Sequence, residues 1–552
     1  MVYPKIPLAQ SIIEIFRRKG IQHIVISPGS RNAPLTIGFA QHPDFKCYSI
    51  ADERSAAFFA LGLAQQLCKP VAVVCTSGSA VLNYYPAVAE AFYSQIPLVV
   101  VSADRPSSKI DIGDGQTIRQ EGVLALHTVF NANLTEVASD ENDRLINEAI
   151  NCAVDQKGPV HINAPFEEPL YETLAELTVA VQVASTAVTD FFVPESLAEF
   201  GSIWNHSQKK LILVGVNMPN SLDQEIVNQL AKDPSVVVMI ETTSNLHHPA
   251  IIDTIDTLIT PFTEEENRAF QPDILITFGG MVVSKRIKAF LRKYPPQHHW
   301  HIDSLRAYDT FGCLSHHFKV SPNTWFPAFF QCTQTVTSNY RDYVLAIRAN
   351  RREKTATYLA SIPFCDFKVF EQVLPALPRY SQLQISNSSA IRYAQLFSID
   401  STIEVFCNRG TSGIDGSTST AIGAAVGSNK QTTLITGDIS FLYDSNALWN
   451  AYIPQNFTII LLNNGGGGIF RILPGHQETP IFTTFFETAH CFTAQHLAAM
   501  YGFEYFTAST QSTLADALSE IFKNAQRPRL LEIFTPTLEN DRHLLTFFKS
   551  LV

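Results

Sequence analysis

The chain has 552 residues, 46% hydrophobic and 16% charged, more than one core can use, and its length points to roughly three or four domains. A net charge of −11 argues against a nucleic-acid partner, because phosphate backbones require basic surface. No apolar run approaches the roughly 20 residues of a membrane span; the first residues make a poor signal peptide; and nine scattered cysteines, without a CxxC or a His/Cys cluster, suit reduced thiols in a cytoplasmic protein.

Short β-branched runs alternate with helix-like stretches. The expected fold class is therefore α/β, with three doubly wound parallel-sheet domains. The first domain is expected over 1–180, with strands at 21–27 (IQHIVIS), 70–76 (PVAVVCT), 96–103 (IPLVVVSA) and 158–164 (GPVHINA). The turns that follow, SPGSRNAP, SGSA and DRP, put small and charged residues at strand C-termini, where open α/β sheets bind ligands. The central domain is expected over 181–350. It opens on a weakly patterned linker at about 181–206 and continues with strands at 209–217, 235–241, 272–280 and 299–304. Its histidine pairs, His247-His248 and His298-His299, lack metal-ligand spacing and read as loop residues. A polar, helix-like stretch at about 330–370 leads into the third domain, expected over 351–552. Strands are predicted there at 383–386, 402–408, 431–438, 457–464 and 527–535.

Two of these last strands end in chemistry. TTLIT closes on Gly437-Asp438, and FTIILL closes on Asn463-Asn464 followed by four glycines. A carboxylate, a carboxamide and a glycine-rich backbone are oxygen donors suited to a hard cation that also grips phosphate. Each dipeptide alone is an ordinary turn signal. Together, if the strands are neighbours, they place Asp438 and Asn464 on one sheet edge. No GxGxxG or GxxxxGK[ST] fingerprint occurs, so dinucleotide and ATP chemistry are unsupported.

The GD…NN pattern resembles the diphosphate–metal motif of thiamine diphosphate enzymes. That family's second mark, a glutamate in another domain, is matched by Glu53 in ADERSAAFFALGLAQ. More closely, SPGSRNAP, DERSAAFFALG, TSGSAVLNYYPAVAEA, SADRP, GQTIRQ, SKR, NRGTSGIDGSTSTAIGAA and GDISFLYDSNAL follow one another as in the 2-succinyl-5-enolpyruvyl-6-hydroxy-3-cyclohexene-1-carboxylate synthases of menaquinone biosynthesis. Ile439 after GD agrees with these synthases, where other decarboxylases of the superfamily usually have Gly. Gly465 stands where another Asn would be expected.

The resemblance implies a transferase that decarboxylates 2-oxoglutarate and adds the succinyl carbanion equivalent in 1,4 fashion to isochorismate, with thiamine diphosphate and Mg²⁺ (or Mn²⁺) as cofactors. The alternatives are an acetolactate-type synthase or other 2-oxoacid decarboxylase, and a non-catalytic relative. Glu53, Gln116, Arg392 and Arg409 are the implied catalytic residues. Ser30, Arg31, Arg105, Gln116, Lys285, Arg286, Ser388, Arg392, Arg409, Ile469, Phe470 and Leu473 would bind substrate. Glu53, Ser412, Gly413, Ile414, Gly437, Asp438, Ile439, Ser440, Asn464 and Gly466 would bind the cofactor, with Asp438, Asn464 and the Gly466 carbonyl on the metal. Arginine suits the carboxylates of these anionic substrates because it binds them in bidentate fashion. In the superfamily the cofactor sits between subunits, so a homodimer or homotetramer is implied.

Overall fold

Most of the short β-branched runs become strands buried along nearly all of their length, as a parallel sheet between helix layers requires. The computed structural model describes residues 2–185, 197–472, 475, 477, 479–524 and 526–552. Its first sheet contains β1 (His23–Ile26), β2 (Lys46–Ser49), β3 (Val71–Cys75), β4 (Leu98–Asp104), β5 (Phe130–Asn133) and β6 (Val160–Pro165), in the order β2-β1-β3-β4-β6-β5. The second contains β7 (Lys210–Val214), β8 (Val236–Ile240), β9 (Ile274–Phe278), β10 (His298–Ile302) and β11 (His316–Phe318), in the order β8-β7-β9-β10-β11. The third contains β12 (Gln382–Ile385), β13 (Glu404–Phe406), β14 (Thr432–Gly437), β15 (Phe457–Asn463), β16 (Glu504–Ala508) and β17 (Arg529–Phe534), in the order β13-β12-β14-β15-β17-β16. Every pairing within these three sheets is parallel, and helices flank them, so the α/β class expected of the sequence is found. The first and third sheets share one strand permutation, although their sequences show no repeat.

Four strands of these three sheets were not announced by an apolar run: β2, β5, β11 and β16. All four are edge strands, and each is exposed or half-exposed at most positions. The pair His298-His299, read as loop, instead opens β10. His299 is buried there, its Nε2 lies 2.9 Å from Thr277 Oγ1, and burial pushes its pKa down to about 4. It is a neutral sheet residue. His247-His248 does lie in irregular chain. The stretch read as a linker ends in a helix, Leu197–His206; residues 186–196 of it lie outside the described residues. The polar stretch after 330 contains the 22-residue helix Tyr340–Ser361.

The first and third sheets are joined by the helices Glu53–Leu67 and Ser417–Gly427, which approach backbone to backbone. A Cβ on Gly62 would lie 2.0 Å from the Thr420 carbonyl oxygen, and one on Gly423 would lie 1.9 Å from that of Phe59. Only glycine permits this approach. Around it Phe58, Phe59, Ala421 and Ile422 belong to one core that continues into both sheets. Among the described residues no helix is long and apolar enough to cross a membrane.

Candidate active site

β14 and β15 are neighbours in register, with Gly437 opposite Leu462, so Asp438 and Asn464 leave the same sheet edge side by side. The Asp438 carboxylate organises the glycine turn. Its Oδ2 accepts the N–H groups of Gly465 (2.9 Å) and Gly466 (3.0 Å), and its Oδ1 accepts that of Ile439 (2.7 Å). Gly465 and Gly466 have φ of +78° and +152°, a region that favours glycine, and a Cβ on Gly466 would lie 2.8 Å from the Glu487 carbonyl oxygen. Burial pushes the Asp438 pKa up, while the Ile439 N–H and the neighbouring His490 draw it back. The Asn464 amide nitrogen donates to Asp366 Oδ2 (2.9 Å), whose other oxygen accepts from Thr535 Oγ1 (2.6 Å). With its nitrogen held this way, Asn464 keeps its amide oxygen as an acceptor for the site. Burial raises the Asp366 carboxyl to about 6.

Both residues line a cavity of about 510 Å³. Ser388, Arg392, Arg409, Ser412, Ile414, Gly437, Ile439, Ser440, Gly466, Ile469, Phe470 and Lys285 line it too. Ser388 and Arg392 stand at the start and within the helix Ser389–Ala394. Gly413 does not line it; its carbonyl accepts from Nδ2 of Asn387, which does (2.7 Å). The Gly466 carbonyl accepts the Gly468 N–H at 3.1 Å. Leu473 lies outside the described residues.

Four cations, Lys285, Lys288, Arg392 and Arg409, share this wall. Burial, with Arg409 beside it, lowers the Arg392 pKa, and burial lowers that of Lys288. Arg409 donates from Nη1 to Asn387 Oδ1 (2.6 Å), and its buried Nε has no hydrogen-bond partner among the described residues. Like charges crowded in a half-dry pocket are unfavourable alone, and an anion between them relieves both desolvation and repulsion.

Arg286 differs from the expectation. It sits over the Phe548 ring, 4.3 Å from its centroid, and does not line the cavity. On the helix Lys285–Lys293 the face of Lys285 is shared by Lys288, three residues on, while position 286 points elsewhere. Lys288, missed in the sequence, could have been found from that spacing. Asp366 and Asn387 had no such signal.

The first-domain candidates form a second group at the C-terminal edge of the first sheet, and none of them lines the cavity of Asp438. Arg31 is buried, donating to the Phe166 carbonyl (2.9 Å) and to Glu168 (3.1 Å). Arg105 donates to Ser77 Oγ (2.9 Å). Ser30 is exposed, and Gln116 is exposed at φ +56°. Glu53 begins its helix half-buried, and burial raises its pKa against the pull of its own backbone N–H.

Three family descriptions match the chain: "Thiamine pyrophosphate enzyme, N-terminal TPP binding domain" over 6–125, "Middle domain of thiamine pyrophosphate" over 195–385, and "Thiamine pyrophosphate enzyme, C-terminal TPP binding domain" over 388–533. The chain is 66% identical to the 2-succinyl-5-enolpyruvyl-6-hydroxy-3-cyclohexene-1-carboxylate synthase of Flavobacterium johnsoniae over 100% of both chains. It is 50% identical to that of Christiangramia forsetii over 99% of both, and 38% identical to that of Porphyromonas gingivalis over 97% of this chain and 96% of the relative. The chain belongs to this synthase family. As a thiamine pyrophosphate enzyme of that family it has a donor set that suits the cofactor: a carboxylate and an amide oxygen on adjacent strand ends, a glycine turn with no room for a side chain at Gly466, and an adjoining cationic wall. The glycine turn is braced by a residue of a buried ion pair: Glu487, whose carbonyl accepts the Gly467 N–H at 2.7 Å, meets Arg471, with Nη2 2.7 Å from its Oε2.

Proposed function

We propose that the protein catalyses thiamine diphosphate-dependent decarboxylation of 2-oxoglutarate and 1,4-addition of the succinyl unit to isochorismate, releasing CO₂ and forming 2-succinyl-5-enolpyruvyl-6-hydroxy-3-cyclohexene-1-carboxylate. The observation that carries this reading is the four-cation wall beside the Asp438–Asn464 edge, in a chain whose full-length relatives bear the synthase name. When bound, thiamine diphosphate supplies the nucleophilic carbon and the electron sink that decarboxylation requires.

The chain's own residues hold, orient and exchange protons. Asp438, Asn464 and the Gly466 carbonyl would hold Mg²⁺ or Mn²⁺ against the diphosphate, with Gly437, Ile439, Ser440, Ser412 and Gly413 around it. Ile414 would prop the bent cofactor. Glu53 would hydrogen-bond the aminopyrimidine ring and hold the proton there. Lys285, Lys288, Arg392 and Arg409, with Ser388, would bind substrate carboxylates, and Ile469 and Phe470 would close the apolar side. Ser30, Arg31, Arg105 and Gln116 would complete the site from the first-domain edge. Because that edge and the Asp438 cavity are separate within one chain, the reading takes the active unit to be a homodimer or homotetramer with sites between subunits, working in the cytoplasm.

A cationic wall predicts a dicarboxylic donor. With thiamine diphosphate and Mg²⁺, 2-oxoglutarate is expected to be consumed with kcat/KM at least about tenfold above that for pyruvate, since one lost charge-assisted carboxylate contact costs about 1.5–3 kcal/mol, or roughly 10- to 150-fold. Equal or better use of pyruvate would instead support an acetolactate-type enzyme.

A further inference from the structure

Glu90 lies in the helix Tyr85–Ser94 of the first domain and is 1% exposed. Within its own helix its carboxylate accepts only from Ser94 Oγ (2.7 Å). Its other bonds cross into the third domain. Oε1 accepts the Gly410 N–H at 2.7 Å; Oε2 accepts the Thr411 N–H at 2.6 Å and the Thr411 hydroxyl at 2.8 Å. Two successive N–H groups converging on one anion form a nest, and hydrogen bonds to a charged acceptor are about twice as strong as neutral ones. The approach is close: a Cβ on Gly410 would lie 2.6 Å from the Glu90 carbonyl oxygen.

The clamped residues fall between two that line the cavity, Arg409 and Ser412. From the other side Asn387 grips the same loop, donating to the Asn408 and Gly413 carbonyls (2.7 Å each) and accepting from Arg409. Ser412 has φ +63°, a conformation that a non-glycine residue adopts only when its surroundings hold it. The loop therefore keeps its path through outside contacts, and the charged one comes from another domain.

We propose that Glu90 is a positioning residue: by fixing Gly410 and Thr411 it aims the Arg409 guanidinium at a substrate carboxylate. The proposal rests on the reaction assigned above. It gives the first domain a second task, since its sheet edge serves catalysis while the helix Tyr85–Ser94 shapes the cavity wall of its own chain.

The test is Glu90→Gln in the full-length enzyme with thiamine diphosphate and Mg²⁺. Glutamine fills the same space, but one of its ends donates, so one of the two backbone N–H groups meets a donor. KM for whichever substrate Arg409→Ala impairs is expected to rise at least about tenfold, with a smaller change in kcat. In an Arg409→Ala background the same change should add less than about threefold, because both act through one guanidinium. Thr411→Val, which removes the hydroxyl bond alone, should shift KM in the same direction by less, and it decides the matter if Glu90→Gln does not fold. Unchanged KM in the variants, or full multiplication of the Glu90 and Arg409 effects, overturns the positioning role. A wild-type enzyme that turns over neither substrate overturns the reaction assignment, and this role with it.

Discussion

Replacing Glu53 by Gln is expected to lower turnover by roughly 10²- to 10⁴-fold, the range of a lost general acid–base group, while the protein stays folded. The structure separates these two effects. The N-cap of the helix Glu53–Leu67 is Asp52, whose side chain accepts the Ser55 N–H at 3.1 Å, so the substitution leaves the cap intact. Only the favourable placement of a negative charge in the first turn is lost, worth about 0.3–1 kcal/mol. Against an exposed first-turn acid, Glu53 differs in one respect: burial raises its pKa, which suits a carboxyl that must hold and return a proton. Turnover and thermal melting measured on the same preparation check this. Near-normal turnover would remove Glu53 from the chemistry; a large loss of melting temperature would make it structural.

The second large effect is expected at Asp438. Asp438→Ala should abolish the rise in melting temperature that thiamine diphosphate and Mg²⁺ give the wild type, about 2.7 kcal/mol of stabilisation at a ligand concentration 100 times Kd. Activity should fall with it. The apoprotein should also lose about 1–3 kcal/mol, because the N–H groups of Ile439, Gly465 and Gly466 lose their acceptor. Differential scanning calorimetry with and without cofactor distinguishes the two losses; a ligand-induced shift that survives would contradict the metal assignment. Mixing Asp438→Ala with Glu53→Gln subunits should regenerate activity, since the two residues do not share a cavity within one chain.

What could be read in the sequence follows from how each feature is encoded. Asp438 and Asn464 were legible because each ends a strand buried along its length, and β14 and β15 pair directly. The central strands were legible for the same reason. The edge strands β2, β5, β11 and β16 were not, because partial exposure removes the apolar run that marks a strand. His298-His299 was misplaced because two imidazoles look polar, yet the Thr277 hydroxyl lets His299 sit inside a sheet. Arg286 was grouped with Lys285 through the SKR motif of the resemblance, whereas helix geometry puts Lys288 on the face of Lys285. Asp366 and Glu90 act on Asn464 and Gly410 across long sequence separations, and nothing local marks them.

The most direct test of the account is to supply purified protein, thiamine diphosphate and Mg²⁺ with 2-oxoglutarate, with and without isochorismate, and to follow CO₂ and isochorismate together. Slow CO₂ release from 2-oxoglutarate alone is expected, with faster release once isochorismate is present and one isochorismate consumed per CO₂. CO₂ release that is indifferent to isochorismate, with no isochorismate consumed, would contradict it.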